Sequence, residues 1–226
     1  MSTEAPESVE RPMRADALRN RERVLAAAQE AFAEGGPDVA VAEIARRAGV
    51  GAGTLFRHFP TKQDLMLAVL DATFAGVVTA IDDALAMDDP WDALVQVLTA
   101  TAEVQARDRT FLSAVGPELF GDEHFVRRNE AMMDGIAELL QRAQKSGVVR
   151  DDLAAEDLPF LLAALGGATE HCGGGNIDGV SADLWRRYLG IVLDGLRPAG
   201  AHPLPIPAPT RKQLLATKAA SHAPRC

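Results

Sequence analysis

Residues 39–65 read VAVAEIARRAGVGAGTLFRHFPTKQDL, and their spacing decides the fold at the front of the chain. Val41, Ile44, Ala45 and Ala48 recur at helical intervals, so a short helix buries one side while Glu43, Arg46 and Arg47 stay in water. Gly49 ends that helix, because glycine enters the left-handed region without a side-chain clash, and Val50 seats in the angle of a sharp turn. In the next helix, Ala52 to Phe59, Leu55 and Phe59 are spaced i, i+4 and face inward, which leaves Gly51, Ala52, Thr54, Arg57 and His58 outward. Pro60 stops this helix, and Thr61 with Asp64 reads as the N-cap and capping box of a long helix. Two helices around a tight turn, the second with a small and polar outer face, suit the major groove of DNA, and Lys62 falls where a phosphate lies.

Arg23-Val-Leu-Ala-Ala-Ala, Phe32, Gly35-Gly36, Ile44-Ala45, Ala48-Gly49-Val50, Gly53-Thr54-Leu55-Phe56, His58-Phe59 and Lys62 together resemble the TetR family of bacterial transcriptional regulators. The likeness covers residues 20–66 or so, and the remaining helices resemble the family only in layout. It implies an N-terminal helix-turn-helix domain, a homodimer, a palindromic double-stranded DNA operator, and repression relieved by a small molecule held between the middle helices. Thr54 and Arg57 are then the residues nearest the bases, Lys62 a phosphate contact, and His58 either. Gly51, Ala52, Leu55 and Phe56 complete the reading helix, and Arg14 and Arg21 of the first helix are candidates to lie along the phosphates. Three positions depart from the family pattern. Phe56 stands where a phosphate-binding tyrosine is usual, Gly51 where serine is common, and Ala40 near a usual threonine. Each loss removes one hydrogen bond worth about 0.5–1.5 kcal/mol, which weakens DNA binding without abolishing it. The alternative is a helical protein-interaction module with a degenerate helix-turn-helix.

The fold class expected is all-α, since no strand-like alternation competes with the helical periodicity. Residues 1–13, with two prolines and three glutamates, read as a disordered arm. Residues 14–60 form the DNA-binding domain and 61–198 a helical ligand-binding and dimerisation domain. Helices are expected from about Arg14 or Asp16 to Gly35, Lys62 to Met87, Pro90 to Arg107, Asp122 to Ser146, 155–172 and 181–196, with a short helix over 109–120 broken at Gly116-Pro117.

The net charge of −9 is distributed unevenly. Residues 11–63 carry a balance of +3, residues 64–200 one of −13, and residues 201–226 one of +4. An acidic body and a basic reading end orient the molecule on DNA. Two cysteines make no disulfide framework, and the five histidines lack metal-site spacing, so no metal or cofactor is expected. His171 and Cys172 are adjacent, hence about 100° apart on a helix, which is poor geometry for a nucleophile and its base; no catalytic residue is assigned. The absence of a long apolar run or signal peptide predicts a soluble, cytoplasmic protein without a membrane partner.

Apolar candidates for the effector's wall are Phe74, Trp91, Leu98, Phe111, Leu112, Val115, Phe125, Met132, Met133 and Leu162, with Glu170 and His171 as polar groups. Apolar stripes of this kind are more often core than pocket. Leu161, Leu165, Leu184, Trp185, Tyr188, Leu189, Val192 and Leu196 are the residues that the resemblance assigns to a four-helix dimer interface; an intrachain core is the competing reading.

After Pro198 the chain turns proline-rich, and residues 199–226 read as an extended linker and a disordered basic tail. The run from Ala208 to Ala220 resembles part of a core histone tail, in which the lysines matching Lys212 and Lys218 are acetylation sites. A mobile basic arm that adds nonspecific DNA affinity is the plainer expectation.

Overall fold

The computed structural model describes residues 10–108, 122–171 and 183–220 together with Leu112 and Leu119; for residues 10–15, 166–171, 215 and 218–220 it describes the backbone alone. Among the described residues the regular structure is helical throughout, as the periodicity predicts. The helices are α1 (Glu10–Gly35), α2 (Val41–Ala48), α3 (Ala52–His58), α4 (Lys62–Leu85), α5 (Pro90–Arg107), α6 (Glu123–Lys145), α7 (Leu158–His171), α8 (Leu184–Gly195) and α9 (Arg211–Ala220). The chain forms two compact units, Met1–Asp71 and Ala72–Cys226, and their boundary falls within α4.

In the first unit α1 begins at Glu10, so residues 10–13 are helical where disorder was expected. Pro12 sits in the first turn, where its missing N–H has no intrahelical acceptor to lose, and Glu10 suits the positive end of the helix dipole. The predicted stop holds: α1 ends at Gly35, and Gly36 takes φ 69° with its N–H on the Phe32 carbonyl. Val24, Ala28, Ala31 and Phe32 of α1 close over Ile44, Ala45, Leu55 and Phe59 to make a small core.

The second unit packs α5 centrally, with Leu94, Val97 and Leu98 fully buried among α4, α6, α7 and α8. Asp89 caps α5 by accepting from the N–H groups of Trp91 and Asp92, and Asp122 caps α6 in the same way through His124 and Phe125. Arg142 of α6 donates to the Leu85 and Met87 carbonyls at 2.9 and 2.5 Å, which satisfies the C-terminal end of α4. α4 and α6 approach closely at Gly135, where an added Cβ would lie 2.5 Å from Ile81 Cγ2. Contrary to the sequence expectation of no long apolar run, α4 is long and apolar enough by composition to cross a membrane, with a mean hydropathy of 1.8 over its best window. Its apolar residues have a structural use, since Leu65, Val69, Leu70, Val77, Ile81 and Ala84 are buried in the two cores.

The C-terminal segment departs most from expectation. Residues 201–220 are part of the second unit and are fastened to its helices and turns. Arg150 donates to the His202 carbonyl at 2.6 Å, and Asp152 accepts from the Leu204 N–H at 3.0 Å. A second capping box, Thr210 with Gln213, starts α9. Arg211 then pairs with Asp134 and Glu156, and Leu214 enters the core at 1 % exposure. Composition predicts an unpacked tail because five prolines and four cations dominate residues 201–226; Leu214, Arg211 with its two carboxylates, and the bonds from Arg150 and Asp152 anchor its described part.

Candidate nucleic-acid interface

The turn between α2 and α3 is built on Gly49. Its φ of 64° is left-handed, the Val50 N–H reaches the Ala45 carbonyl at 3.0 Å, and the Gly49 N–H reaches that of Arg46 at 3.1 Å. This is the paired-bond Schellman termination. Arg23 of α1 donates to the Gly49 carbonyl, a cross-link that the sequence pattern contained without showing its role.

α3 rests on Leu55 and Phe59, both buried, and leaves Gly51, Ala52, Gly53, Phe56 and Arg57 exposed, with Thr54, His58 and Lys62 half-exposed. A Cβ added at Gly51 or Gly53 would meet nothing within 4 Å, so neither glycine is required by internal packing. Without side chains at these two positions this face stays low. Phe56 is 46 % exposed. Of the residues predicted to meet DNA, Leu55 is the exception: it anchors the helix and offers nothing to a base.

The cations around α3 fall into two classes. Arg46 and Arg47 are tied down, Arg46 by two bonds to Glu43 at 2.7 and 2.8 Å, Arg47 by Glu43 at 2.9 Å and Glu34 at 2.7 Å. Hydrogen bonds from Arg46 and then Arg47 hold the Glu43 carboxyl down to about 2. Among the described residues no carboxylate forms an ion pair with Arg57 or Lys62. Lys62 stands in the first turn of α4, set by the predicted capping box: Thr61 donates from N–H and hydroxyl to Asp64 at 2.9 and 2.8 Å, and the Asp64 N–H returns to Thr61 Oγ1 at 3.0 Å. Arg21 lies over the Phe59 ring, 5.1 Å from its centre, which brings it to the end of α3. The Arg14 side chain lies outside the described residues.

In the second unit the predicted wall residues separate. Leu98, Phe125, Met133 and Leu162 are core, while Phe74, Trp91, Leu112 and Met132 are half-buried against it. Phe74 and Phe125 are brought together by Arg128, whose guanidinium lies 5.7 and 5.4 Å from their ring centres and is pushed below its ordinary range by burial. Trp91 sits elsewhere, under Arg197 at 3.5 Å and beyond the end of α4, which is about 16 Å along the helix from Phe74. The Glu170 and His171 side chains, Phe111 and Val115 lie outside the described residues. Among the described residues no group of three His, Cys, Asp or Glu side chains could hold a metal ion.

Four of the eight residues predicted for a dimer interface, Leu165, Trp185, Leu189 and Leu196, are buried within the single chain. Leu161, Leu184, Tyr188 and Val192 remain half-exposed, and Phe160 and Ile191 beside them are open to solvent. Helical periodicity gave the apolar residues of α7 and α8 but could not divide them between an inner and an outer face.

A family model of bacterial regulatory proteins, tetR family, matches residues 24–69, and one described as transcriptional regulator SbtR-like, C-terminal domain, matches residues 89–198. An HTH-type transcriptional regulator of Mycobacterium tuberculosis is 34 % identical over 132 residues, 57 % of this chain and 68 % of the relative. The crystal structure of a TetR transcription regulatory protein from Mycobacterium vanbaalenii is 36 % identical with a TM-score of 0.57, covering 82 % of this chain and 99 % of its own. The fold also recurs, at 22 % identity and a TM-score of 0.58 over 77 % of this chain and 95 % of the other, in a Saccharomonospora viridis structure in complex with choline. With these matches spanning both the helix-turn-helix and the helical unit that follows, the chain belongs to the TetR family of DNA-binding transcriptional regulators.

Proposed function

We propose that the protein is a homodimeric repressor, that α3 of each copy reads one half of a palindromic operator, and that a small molecule bound in the second unit releases it. The observation that carries this reading is the outer face of α3, small and polar at Gly51, Ala52, Gly53 and Thr54 and followed by Arg57 and Lys62, which no carboxylate pairs among the described residues. One seven-residue helix buries too little surface for specific binding, so two copies reading half-sites about 34–36 Å apart supply the affinity. Thr54 and Arg57 are assigned to base edges, Lys62 and Arg21 to phosphates, and His58 to either. The rings of Phe74 and Phe125, joined by Arg128, are the apolar and cationic cluster assigned to the effector. The choline-bound structural neighbour supports a small-molecule effector as a class. No catalytic role is assigned, and a DNA-bound repressor acts in the cytoplasm. Titration of purified protein against an inverted-repeat duplex, by fluorescence anisotropy at two salt concentrations, tests the reading. Saturable binding with two protein chains per duplex supports it, and binding equal to that of random duplex refutes it.

A further inference from the structure

Among the described residues six large apolar side chains are exposed, and four of them gather on one part of the second unit: Phe160 of α7 at 39 %, Ile191 of α8 at 61 %, and Leu204 and Ile206 of the following segment at 44 and 75 %. Phe160, Leu161, Val192, Leu196, Leu204 and Ile206 supply the apolar lining of a single groove of about 520 Å³, which Arg150 and Asp157 also line. Ile191 stands four residues, about one helical turn, before Gly195, which also lines it.

We infer that the C-terminal strap, residues 203–209, is part of the dimer surface: Leu204 and Ile206 extend the exposed face of α7 and α8, and a second copy of this chain docks on the composite. The inference rests on the homodimer proposed above and adds a contribution from outside the two helices.

Three observations support it. First, the strap is held in place at both ends, upstream by Arg150 and Asp152 on His202 and Leu204, downstream by Arg211 on Asp134 and Glu156 and by buried Leu214. The exposure of Leu204 and Ile206 is therefore a consequence of anchored backbone. Second, prolines 203, 205, 207 and 209 alternate with Leu204, Ile206 and Ala208. Proline restricts the backbone in advance, so little entropy remains to be lost on docking, and its missing N–H keeps the strap from recruiting a strand.

Third, charge selects the occupant. Residues 64–200 carry a balance of −13, so two copies repel over most of this unit, yet α7 has no charged residue from Leu158 to Thr169. A two-fold interface sets a patch against itself, and near the axis every residue meets its own copy, where a like charge is excluded. A partner of different sequence imposes no such requirement; a second copy does.

The test is sedimentation velocity on the full chain over a concentration series, comparing the unsubstituted protein, Phe160→Glu, and the pair Leu204→Glu with Ile206→Glu. Circular dichroism and melting confirm the fold of each, and Ile206→Ser serves as a milder strap variant. The expected result is that the Phe160 and the paired strap variants both raise the dimer dissociation constant about tenfold or more, with unchanged helicity, and that Ile206→Ser shifts it in the same direction. Dissociation of Phe160→Glu alone, with both strap variants dimerising as the unsubstituted protein does, overturns the role of the strap and leaves the α7–α8 dimer standing. An unsubstituted chain that stays monomeric, or variants that all dimerise unchanged, overturns both.

Discussion

Arg23 Nη2 lies 3.3 Å from the carbonyl oxygen of Gly49, so α1 holds the turn that aims α3. The same atom would be 2.5 Å from a Cβ placed at Gly49, whose φ is +64°. Gly49→Ala therefore combines backbone strain with a displaced guanidinium and is expected to destabilise the first unit by about 1–3 kcal/mol. Gly53→Ala, which meets open space inside a helix, is the control and should keep or raise the melting temperature. Equal melting temperatures for the two variants would show that the turn is not under this constraint.

Lys62 and Arg57 should fail differently. With the phosphate role proposed for Lys62, Lys62→Ala is expected to weaken specific and random duplex alike and to lower the slope of log K against log salt by about one. Arg57→Ala costs about 1–3 kcal/mol on the preferred site and relaxes sequence preference. Anisotropy titrations over a salt series separate the two, and an unchanged slope for Lys62→Ala takes that residue out of the interface.

The departures at Phe56 and Gly51 predict gains. Phe56 is exposed, and Gly51 precedes α3 with open space around it, so Phe56→Tyr and Gly51→Ser fit without repacking. Each hydroxyl that finds a phosphate adds about 0.5–1.5 kcal/mol, a two- to tenfold tightening. Loss of affinity in both variants would place this face away from the backbone of DNA.

Glu43 ties acid stability to the first unit. Its carboxyl is held down to about 2 from an ordinary 4.5 by Arg46 and then Arg47. A depressed carboxylate contributes stability that is fully present above its unfolded value and is lost as pH falls through the folded one. The melting-temperature advantage of the protein over Glu43→Gln should thus be constant at neutral pH and shrink between pH 4.5 and 2. An advantage independent of pH over that window contradicts the ion-pair assignment.

Leu214 distinguishes a packed tail from a loose one. At 1 % exposure, its truncation in Leu214→Ala should cost about 2–5 kcal/mol in urea unfolding. A cost near zero is what an unpacked tail would give.

The helix-turn-helix was legible almost residue by residue, because its signals are local: an i, i+4 pair at Leu55 and Phe59, a left-handed glycine at 49, a capping box at Thr61 and Asp64. What the sequence hid is long-range. Arg23 meets Gly49 from 26 residues away, and Arg211 meets Asp134 from 77. No periodicity marks such pairs. For the same reason the sequence leaves the apolar residues of α7 and α8 open between a dimer interface and an intrachain core, whereas Leu165, Trp185, Leu189 and Leu196 are buried within the single chain. Trp91 shares with Phe74 only its apolar character, and the C-terminal half of α4 lies between them in the chain.

Selection of random duplexes on the purified protein, repeated at two salt concentrations, tests the central claim most directly. The account predicts enrichment of one inverted repeat whose half-site centres lie about one helical turn apart, or a multiple of it, with steeply salt-dependent binding. A folded protein that enriches no sequence would contradict it, leaving Phe56, Gly51 and Ala40 as the marks of a reading head that no longer reads.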